Sequence, residues 1–385
     1  MPIAVLYPRF DHPAIEERYA SWQTQMLLRA GDDHHEIIFY DREESGTALA
    51  AEVDTEFVLV VTDPLLVPSK HLAARLRDVL VREGGDAALP VSNEAQNARQ
   101  QRAPIVPYLT LRELQDAMQR TEEQTQPAVR VTWEKGDPAV FLCRTETLAT
   151  MRETLAASLN GREVAISPND YIHRWSSLRG QTRFDLLTLI SPDAKSILEF
   201  GCGEGTLGEA LKRRQKCRVV GIELDAEAAA IAQKRIDSVY RGDVREIVTI
   251  LDEQFDWIVG GDIVEHLDEP WSFLDELRRI TKPGGHLLLS LPNLANASVI
   301  SDLLQGRFDY VYMGLTCVGH VRFFTKQSIE DMLSIAGWSV VEISPQHVVS
   351  TSGREELLSR LDAANVPYSK DDLLAAGYYV IAQNS

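Results

Sequence analysis

The stretch Ile197-Leu198-Glu199-Phe200-Gly201-Cys202-Gly203-Glu204-Gly205-Thr206-Leu207-Gly208 constrains this chain more than any other. An apolar strand runs into a glycine-rich turn, and the turn opens a helix. Glycines let a backbone approach a ligand without a Cβ clash, and a helix start offers unpaired N–H groups. This is a nucleotide-type site at the carboxyl end of the first strand of an α/β unit.

Two ligands compete for such a turn. Gly203-x-Gly205-x-x-Gly208 fits the dinucleotide fingerprint G-x-G-x-x-G. Glu199, two residues before Gly201, argues against it. A carboxylate there would repel a pyrophosphate and attract a cationic amino-acid group, such as the methionine end of S-adenosylmethionine. The reading is therefore a methyltransferase turn rather than a dehydrogenase turn. Downstream acids suit the same ligand. Glu223 ends Val219-Val220-Gly221-Ile222-Glu223, where an acid can accept from both ribose hydroxyls, although dinucleotide sites share this feature. Asp243, in Gly242-Asp243-Val244, is placed to accept from an adenine amino group; the alternative is a solvated turn or a helix N-cap.

Strand-like runs alternate with helix-like ones throughout. In the C-terminal half the strands are expected at Ser196–Phe200, Arg218–Glu223, Phe255–Gly260 and His286–Leu291. The helices between them are expected at Thr206–Arg214, Ala226–Ser238 and Trp271–Thr281, with another at Lys326–Ala336. Ser339–Ser344 and Tyr378–Gln383 lack a clean helical crossover, which suits an antiparallel pair at a sheet edge. In the N-terminal half, strands are expected at Ile3–Tyr7, His35–Tyr40, Phe57–Val61, Ala87–Val91 and Ala139–Cys143. Helices are expected there at Ile15–Ala30, Ser69–Arg82 and Thr145–Leu159. Turn punctuation frames a joining stretch with a helix over Tyr171–Ile190. The expected organisation is an α/β accessory domain over 1–161, a linker and cap helix over 162–193, and a catalytic domain over 194–385.

Residues Tyr171–Gln346 resemble a class I S-adenosylmethionine-dependent methyltransferase of the type 11/type 12 groups. The stretches EFGCGEGTLG, VVGIELDAEAAAIAQ, RGDV, FDWIVGGDIVEHLDEPW, ITKPGGHLLLSLPN and HVRFFTKQSIEDMLSIAGW carry the likeness in order. The resemblance implies a Rossmann-like seven-stranded sheet ending in an antiparallel pair. It implies that Glu199, Gly201, Gly203 and Gly205 hold the methionine end, Glu223 the ribose and Asp243 the adenine, with Asp262 and Ile263 lining the cofactor face. Relatives with the last stretch occur in polysaccharide, O-antigen and secondary-metabolite pathways, so the expected acceptor is a sugar, glycan or related small metabolite.

A hydroxyl acceptor needs a general base. His266 and His320 fall in loops at the ligand-binding end of such a sheet, and both are candidate bases. Arg322 is placed to clamp an anionic group on the acceptor. Asn293, Tyr310 and Tyr312, in the enlarged region Leu291–Leu315, are candidate acceptor contacts. Tyr171, His173, Arg174 and Trp175 are candidates for a lid or for a cap on the sheet. Many relatives read D-x-T-H-L-R-F-F-T, where this chain has Cys317-Val318-Gly319-His320-Val321-Arg322. The acid three residues before the histidine is thus a cysteine.

The N-terminal half faintly resembles a family 2 glycosyltransferase of GT-A type. Only Asp63, in Thr62-Asp63-Pro64, matches that family's metal-binding D-x-D. A single carboxylate holds a metal diphosphate poorly, so a degenerate, non-catalytic domain is expected, with a bifunctional glycosyltransferase–methyltransferase as one alternative and a non-catalytic cofactor-binding scaffold as another. Asp32-Asp33-His34-His35 reads as a solvated turn. The formal net charge of −18 argues against nucleic acid as a partner. The four cysteines are scattered and no Cys/His spacing suggests zinc, so no metal is expected; reduced thiols and the lack of a signal peptide or membrane-length apolar run suit a cytoplasmic protein.

Overall fold

The structure is a computed structural model. It describes residues 2–9, 22, 26, 36–63, 66–93, 100–101, 108–123, 126–134, 136, 138–174, 182–347 and 352–384. The chain divides into two compact units, Met1–Ser176 with Tyr310–Met313, and Ser177–Asp309 with Gly314–Ser385.

The first unit is built on one mixed sheet. Its strands are β1 (Ile3–Pro8), β2 (Ile37–Tyr40), β3 (Phe57–Val61), β4 (Leu66–Pro68), β5 (Ala87–Ser92), β6 (Val129–Thr132), β7 (Val140–Arg144) and β8 (Glu163–Arg174). They lie in the order β2-β1-β3-β7-β5-β8-β4, with β6 on β8. The helix Leu72–Glu83 packs Leu72, Ala73, Leu76, Val79 and Leu80 into a core with Val5, Leu59 and Leu142. Two expectations fail here. The helix over Thr145–Leu159 stops at Leu148, because the Met151 carbonyl accepts from the Thr47 amide instead of extending the helix. The linker and cap helix over 162–193 is largely strand, since β8 pairs with β5, β6 and β4 through Arg174. Among the described residues of that stretch, Phe184–Leu189 is the helical part. Asp32, Asp33, His34, His35 and Trp175 lie outside the described residues, as does most of Ile15–Ala30.

The second unit holds the expected seven-stranded sheet. Its strands are β9 (Ser196–Phe200), β10 (Arg218–Glu223), β11 (Ser238–Arg241), β12 (Phe255–Gly261), β13 (Thr281–Pro292), β14 (Ser339–His347) and β15 (Ala375–Gln383). The order is β11-β10-β9-β12-β13-β15-β14. The first five are parallel, and β15 runs antiparallel to both β13 and β14. Alternate residues of β9 serve opposite faces, as pleating requires. Leu198 and Phe200 join a core with Phe273, Leu277 and Leu333, while Ile197 joins one with Leu207, Leu211 and Leu288. The half-exposed β11 was missed as a strand because it carries little apolar signal.

The strand order places β9 beside both β10 and β12, so the chain leaves β9 in one direction and later returns on its other side. The carboxyl ends of these strands form the switch point of an open α/β sheet, where ligands bind. Close packing behind that edge is tight at Gly260, where an added Cβ would lie 1.9 Å from the Phe200 ring. The Gly260→Ala variant is expected to lose roughly 1–3 kcal/mol through overpacking, read as a lower urea midpoint. An unchanged midpoint would mean that Phe200 yields without strain.

Candidate active site

The glycine turn forms where β9 ends. Gly201, Gly203 and Gly205 all take positive φ, at 69°, 53° and 74°. Gly201 has a second constraint, because a Cβ there would meet Ile263 Cδ1 at 2.4 Å. The Glu223 carboxylate sets the turn from the next strand. Gly203 N–H donates to Glu223 Oε2 (2.8 Å), and Asp225 N–H donates to Oε1 (2.9 Å). One acid at the end of β10 therefore joins the glycine turn to the start of the helix Ala226–Ala232.

Glu199 lies beneath this turn. It is buried near the Gly208 amide, and its Oε2 has no hydrogen-bond partner among the described residues. Burial pushes its pKa up to about 8, with the nearby Glu223 carboxylate adding to the shift. A buried acid with one unused oxygen below a glycine cradle suits a cationic ligand group, which is the fit expected of the methionine end of S-adenosylmethionine. Asp243 caps the helix Val244–Ile250 and accepts from Arg245 N–H (2.8 Å), while the Arg245 guanidinium covers both its oxygens. The N-cap alternative is thus the one the structure displays, and an adenine would compete with Arg245.

Asp262 follows β12 with φ 55°, a left-handed conformation unusual for this residue. Its carboxylate is held from two sides: Arg183 Nη1 donates to Oδ2 (2.7 Å) and Ser290 Oγ to Oδ1 (2.8 Å). Arg183 also donates to Asp185, whose Oδ2 accepts from Tyr379 Oη (2.9 Å). Arg183, Asp185 and Tyr379 carried no motif and were missed from sequence. Next in the chain, Ile263 closes over Gly201.

His266 and His320 come together, with ring centroids 4.9 Å apart and nearly perpendicular. His266 is exposed and His320 is inside. The His266 Nδ1 meets the Gly319 carbonyl at 3.0 Å, and the His320 Nδ1 meets the Leu315 carbonyl at 3.3 Å. A carbonyl only accepts, so in each ring Nδ1 carries the proton and Nε2 the lone pair. Burial, reinforced by His266, pushes the His320 pKa down to about 4. Glu265 is wholly buried beside it, with Oε1 3.8 Å from His320 Nε2 and neither oxygen hydrogen-bonded. Burial first, and the Asp262 charge second, raise its pKa well above the usual carboxylate range. Glu265 is the acid that sequence placed only beside a helix start; in space it stands by the histidine that lacks an acid at Cys317. The Cys317 Sγ instead accepts from Gly319 N–H (3.4 Å).

Other candidates are committed elsewhere. Asn293 is wholly buried, and its amide donates to the Asp372 and Ala375 carbonyls while its Oδ1 accepts from Ala295 N–H. It clamps backbone and does not face an acceptor. Tyr310 and Tyr312 belong to the first unit, where the Trp22 indole donates to the Tyr310 carbonyl (2.8 Å). Arg322 donates to the Asp268 and Val321 carbonyls and lies over the Trp271 ring at 5.9 Å. His173 and Arg174 are in β8 of the first unit, paired with Tyr108 and Asp63, so they form no lid.

Residues 173–343 match the family model of a methyltransferase domain. Over this stretch the chain is similar to S-adenosylmethionine-dependent methyltransferases. Among similar proteins, a mitochondrial ubiquinone biosynthesis O-methyltransferase of Dictyostelium discoideum is 28% identical over 128 residues, covering 29% of this chain and 40% of that protein. The ubiquinone biosynthesis O-methyltransferase of Aeromonas salmonicida is 24% identical, covering 44% of this chain and 73% of its own. That of Pseudomonas entomophila is 33% identical, covering 27% and 47%. A solved S-adenosylmethionine-dependent methyltransferase from Archaeoglobus fulgidus is 17% identical with a TM-score of 0.39, covering 52% of this chain and 91% of its own.

The buried acid of the second unit has a measurable consequence. Between the usual carboxylate range and about pH 8, folded Glu199 keeps a proton that the unfolded chain has released. Stability therefore falls as pH rises through that window and levels off above it. Glu199→Gln is expected to flatten this fall, read as the urea midpoint of the second unit at pH 5.5 and pH 8. Identical pH dependence in the two proteins would mean that Glu199 ionises normally.

Proposed function

We propose that the chain transfers a methyl group from S-adenosylmethionine to a hydroxyl of a sugar, glycan or related small metabolite. What supports the cofactor placement is the unused oxygen of buried Glu199 under the turn Gly201–Gly205. In this reading Glu199, Gly201, Gly203 and Gly205 hold the methionine end and Glu223 the ribose. Asp243 holds the adenine once Arg245 moves aside, and Asp262 and Ile263 line the face toward the acceptor. When bound, S-adenosylmethionine supplies a methyl carbon open to in-line attack. The arriving ammonium group favours the ionised form of Glu199, so binding draws a proton out of the site.

An oxygen acceptor is supported by the names of the relatives, which are O-methyltransferases. The acceptor hydroxyl docks against exposed His266, whose Nε2 takes its proton, and His320 packs behind it as a neutral ring. The first unit is read as a degenerate glycosyltransferase-like domain that binds the acceptor or supports assembly. Supporting that reading, Arg174 Nε and Nη2 both donate to Asp63 Oδ2 (2.8 and 2.5 Å), placing a guanidinium where a metal diphosphate would have to approach. Nucleotide-sugar turnover with Mn²⁺ that is lost in Asp63→Ala would make the chain bifunctional instead.

The deciding experiment is calorimetric titration of the whole chain with S-adenosylhomocysteine, with NADH as control. Binding of S-adenosylhomocysteine alone is expected, weakened about tenfold or more in Glu199→Ala, the equivalent of about 1.4 kcal/mol. Binding of NADH in its place would return the glycine turn to a dinucleotide. Methylation is then read on sugars, nucleotide sugars and phenols. Cofactor binding with no transfer to any of them would favour a non-catalytic scaffold.

A further inference from the structure

We propose that Glu265, His266 and His320 form a binding site for one divalent cation of the zinc class, which takes the acceptor hydroxyl as an additional ligand. One ligand atom from each of the three residues lies within 4.8 Å of the other two, a cluster found among the described residues. The site's role in methyl transfer rests on the reading above; the binding of the cation does not.

The first support is an electrostatic gap. His320 Nε2 carries a lone pair, because its Nδ1 donates to the Leu315 carbonyl. It faces Glu265 Oε1 at 3.8 Å, too far for a hydrogen bond, and Glu265 has no donor on either oxygen although the residue is wholly buried. A buried carboxylate without any donor is costly. Two acceptor atoms facing each other across this distance are reconciled by a proton on the acid or, once that proton is released, by a cation between them. Tetrahedral zinc, with bonds of about 2.0–2.2 Å, sets its ligand atoms roughly 3.4 Å apart, so the 3.8 Å pair needs a small contraction and the third ligand, within 4.8 Å, a larger one.

The second support is the surrounding shell. Metal-bound imidazoles characteristically donate their other nitrogen to a carbonyl or carboxylate, which fixes the ring and its tautomer. Both rings do so here, His266 to Gly319 and His320 to Leu315. The two loops that carry the ligands are also stapled together, since the Glu265 carbonyl accepts from the amides of Val321 (2.9 Å) and Arg322 (3.0 Å). Two imidazoles and one carboxylate are a donor set for Zn²⁺ and its neighbours rather than for Mg²⁺ or Ca²⁺. Three protein ligands leave a position open, as in catalytic rather than structural zinc sites. Exposed His266 marks the side from which a ligand enters. An acceptor hydroxyl bound there would lose its proton to solvent more readily, and the cation would take over the activating role from the His266 imidazole.

The test uses the full chain, stripped with chelator and dialysed against Zn²⁺, with Mg²⁺ in parallel. Bound metal is counted by inductively coupled plasma mass spectrometry after desalting, and affinity is measured by competition with a chromogenic chelator. About one Zn²⁺ per chain is expected, with little Mg²⁺, and affinity falling roughly tenfold or more in Glu265→Gln and in His266→Ala. His266 is exposed, so its replacement spares the fold even if the Glu265 variant is unstable. Zinc absent from the wild type, or held equally by wild type and His266→Ala, would overturn the proposal. S-adenosylhomocysteine titrated into the same samples separates the two readings. Failure of the wild type to bind it would overturn the cofactor assignment while the zinc count still decides the metal site.

Discussion

A carboxylate kept inside a parallel sheet is the constraint on which the second unit turns. Glu199 sits in the middle of the strand order, where both faces of the sheet are covered, and its Oε2 finds no hydrogen-bond partner among the described residues. The sheet could bury an apolar residue there at no such cost. What makes the acid tolerable is its proton, retained because ionisation in that environment is unfavourable. The glycine turn above it follows from the same arrangement. Ile263 leaves no space for a side chain at Gly201, and Glu223 spends both oxygens on backbone amides to fix the turn. The fold therefore maintains one acid protonated and under-bonded, and another ionisable group fully occupied a few ångströms of backbone away. A ligand that brings a cation to the first and hydroxyls to the second exchanges the cost of burial for binding.

The second organising feature is the loop after β12. It leaves the strand through a left-handed Asp262, held by Arg183 and Ser290, and this turn delivers Ile263 to one side and Glu265 to the other. A single backbone reversal thus seals the glycine turn and places the buried acid beside His320. Because the Glu265 carbonyl also anchors Val321 and Arg322, the loop before the helix Lys326–Ile335 cannot move independently of it. The turn at Asp262, the side chain over Gly201 and the histidine cluster are thus linked through one short segment.

Much of this was legible in the sequence where one strand and its following turn carry the signal. Ser196–Phe200, Thr206–Arg214 and Arg218–Glu223 fall where apolar runs and glycine punctuation put them. The failures share a cause. Tyr171–Arg174 pairs with two strands distant in sequence, so its helix-like spacing lost to ladder hydrogen bonds. Asn293 looked like an acceptor contact because it follows a strand, yet its amide is drawn inward by carbonyls of Asp372 and Ala375. Glu265 was visible in D-I-V-E-H, but only the fold brings the His320 loop against it. Local patterns report local elements; convergence of loops is a property of the sheet order.

Asp63 and Glu265 show why a carboxylate at the end of a strand does not by itself announce a metal. Each follows a strand of an α/β sheet and each faces a basic side chain. Asp63 meets Arg174, whose guanidinium supplies two donors and a permanent charge, so the acid is satisfied without any further ligand. Glu265 meets His320, whose facing nitrogen is an acceptor because the other nitrogen is engaged by Leu315. The first pair is electrostatically closed and leaves an added cation no net attraction. The second sets one acceptor against another, so it is held together by a proton on the acid or by a metal ion in that proton's place. The identity of one neighbour, and the hydrogen bond on its far side, separates a structural ion pair from a site that can do chemistry.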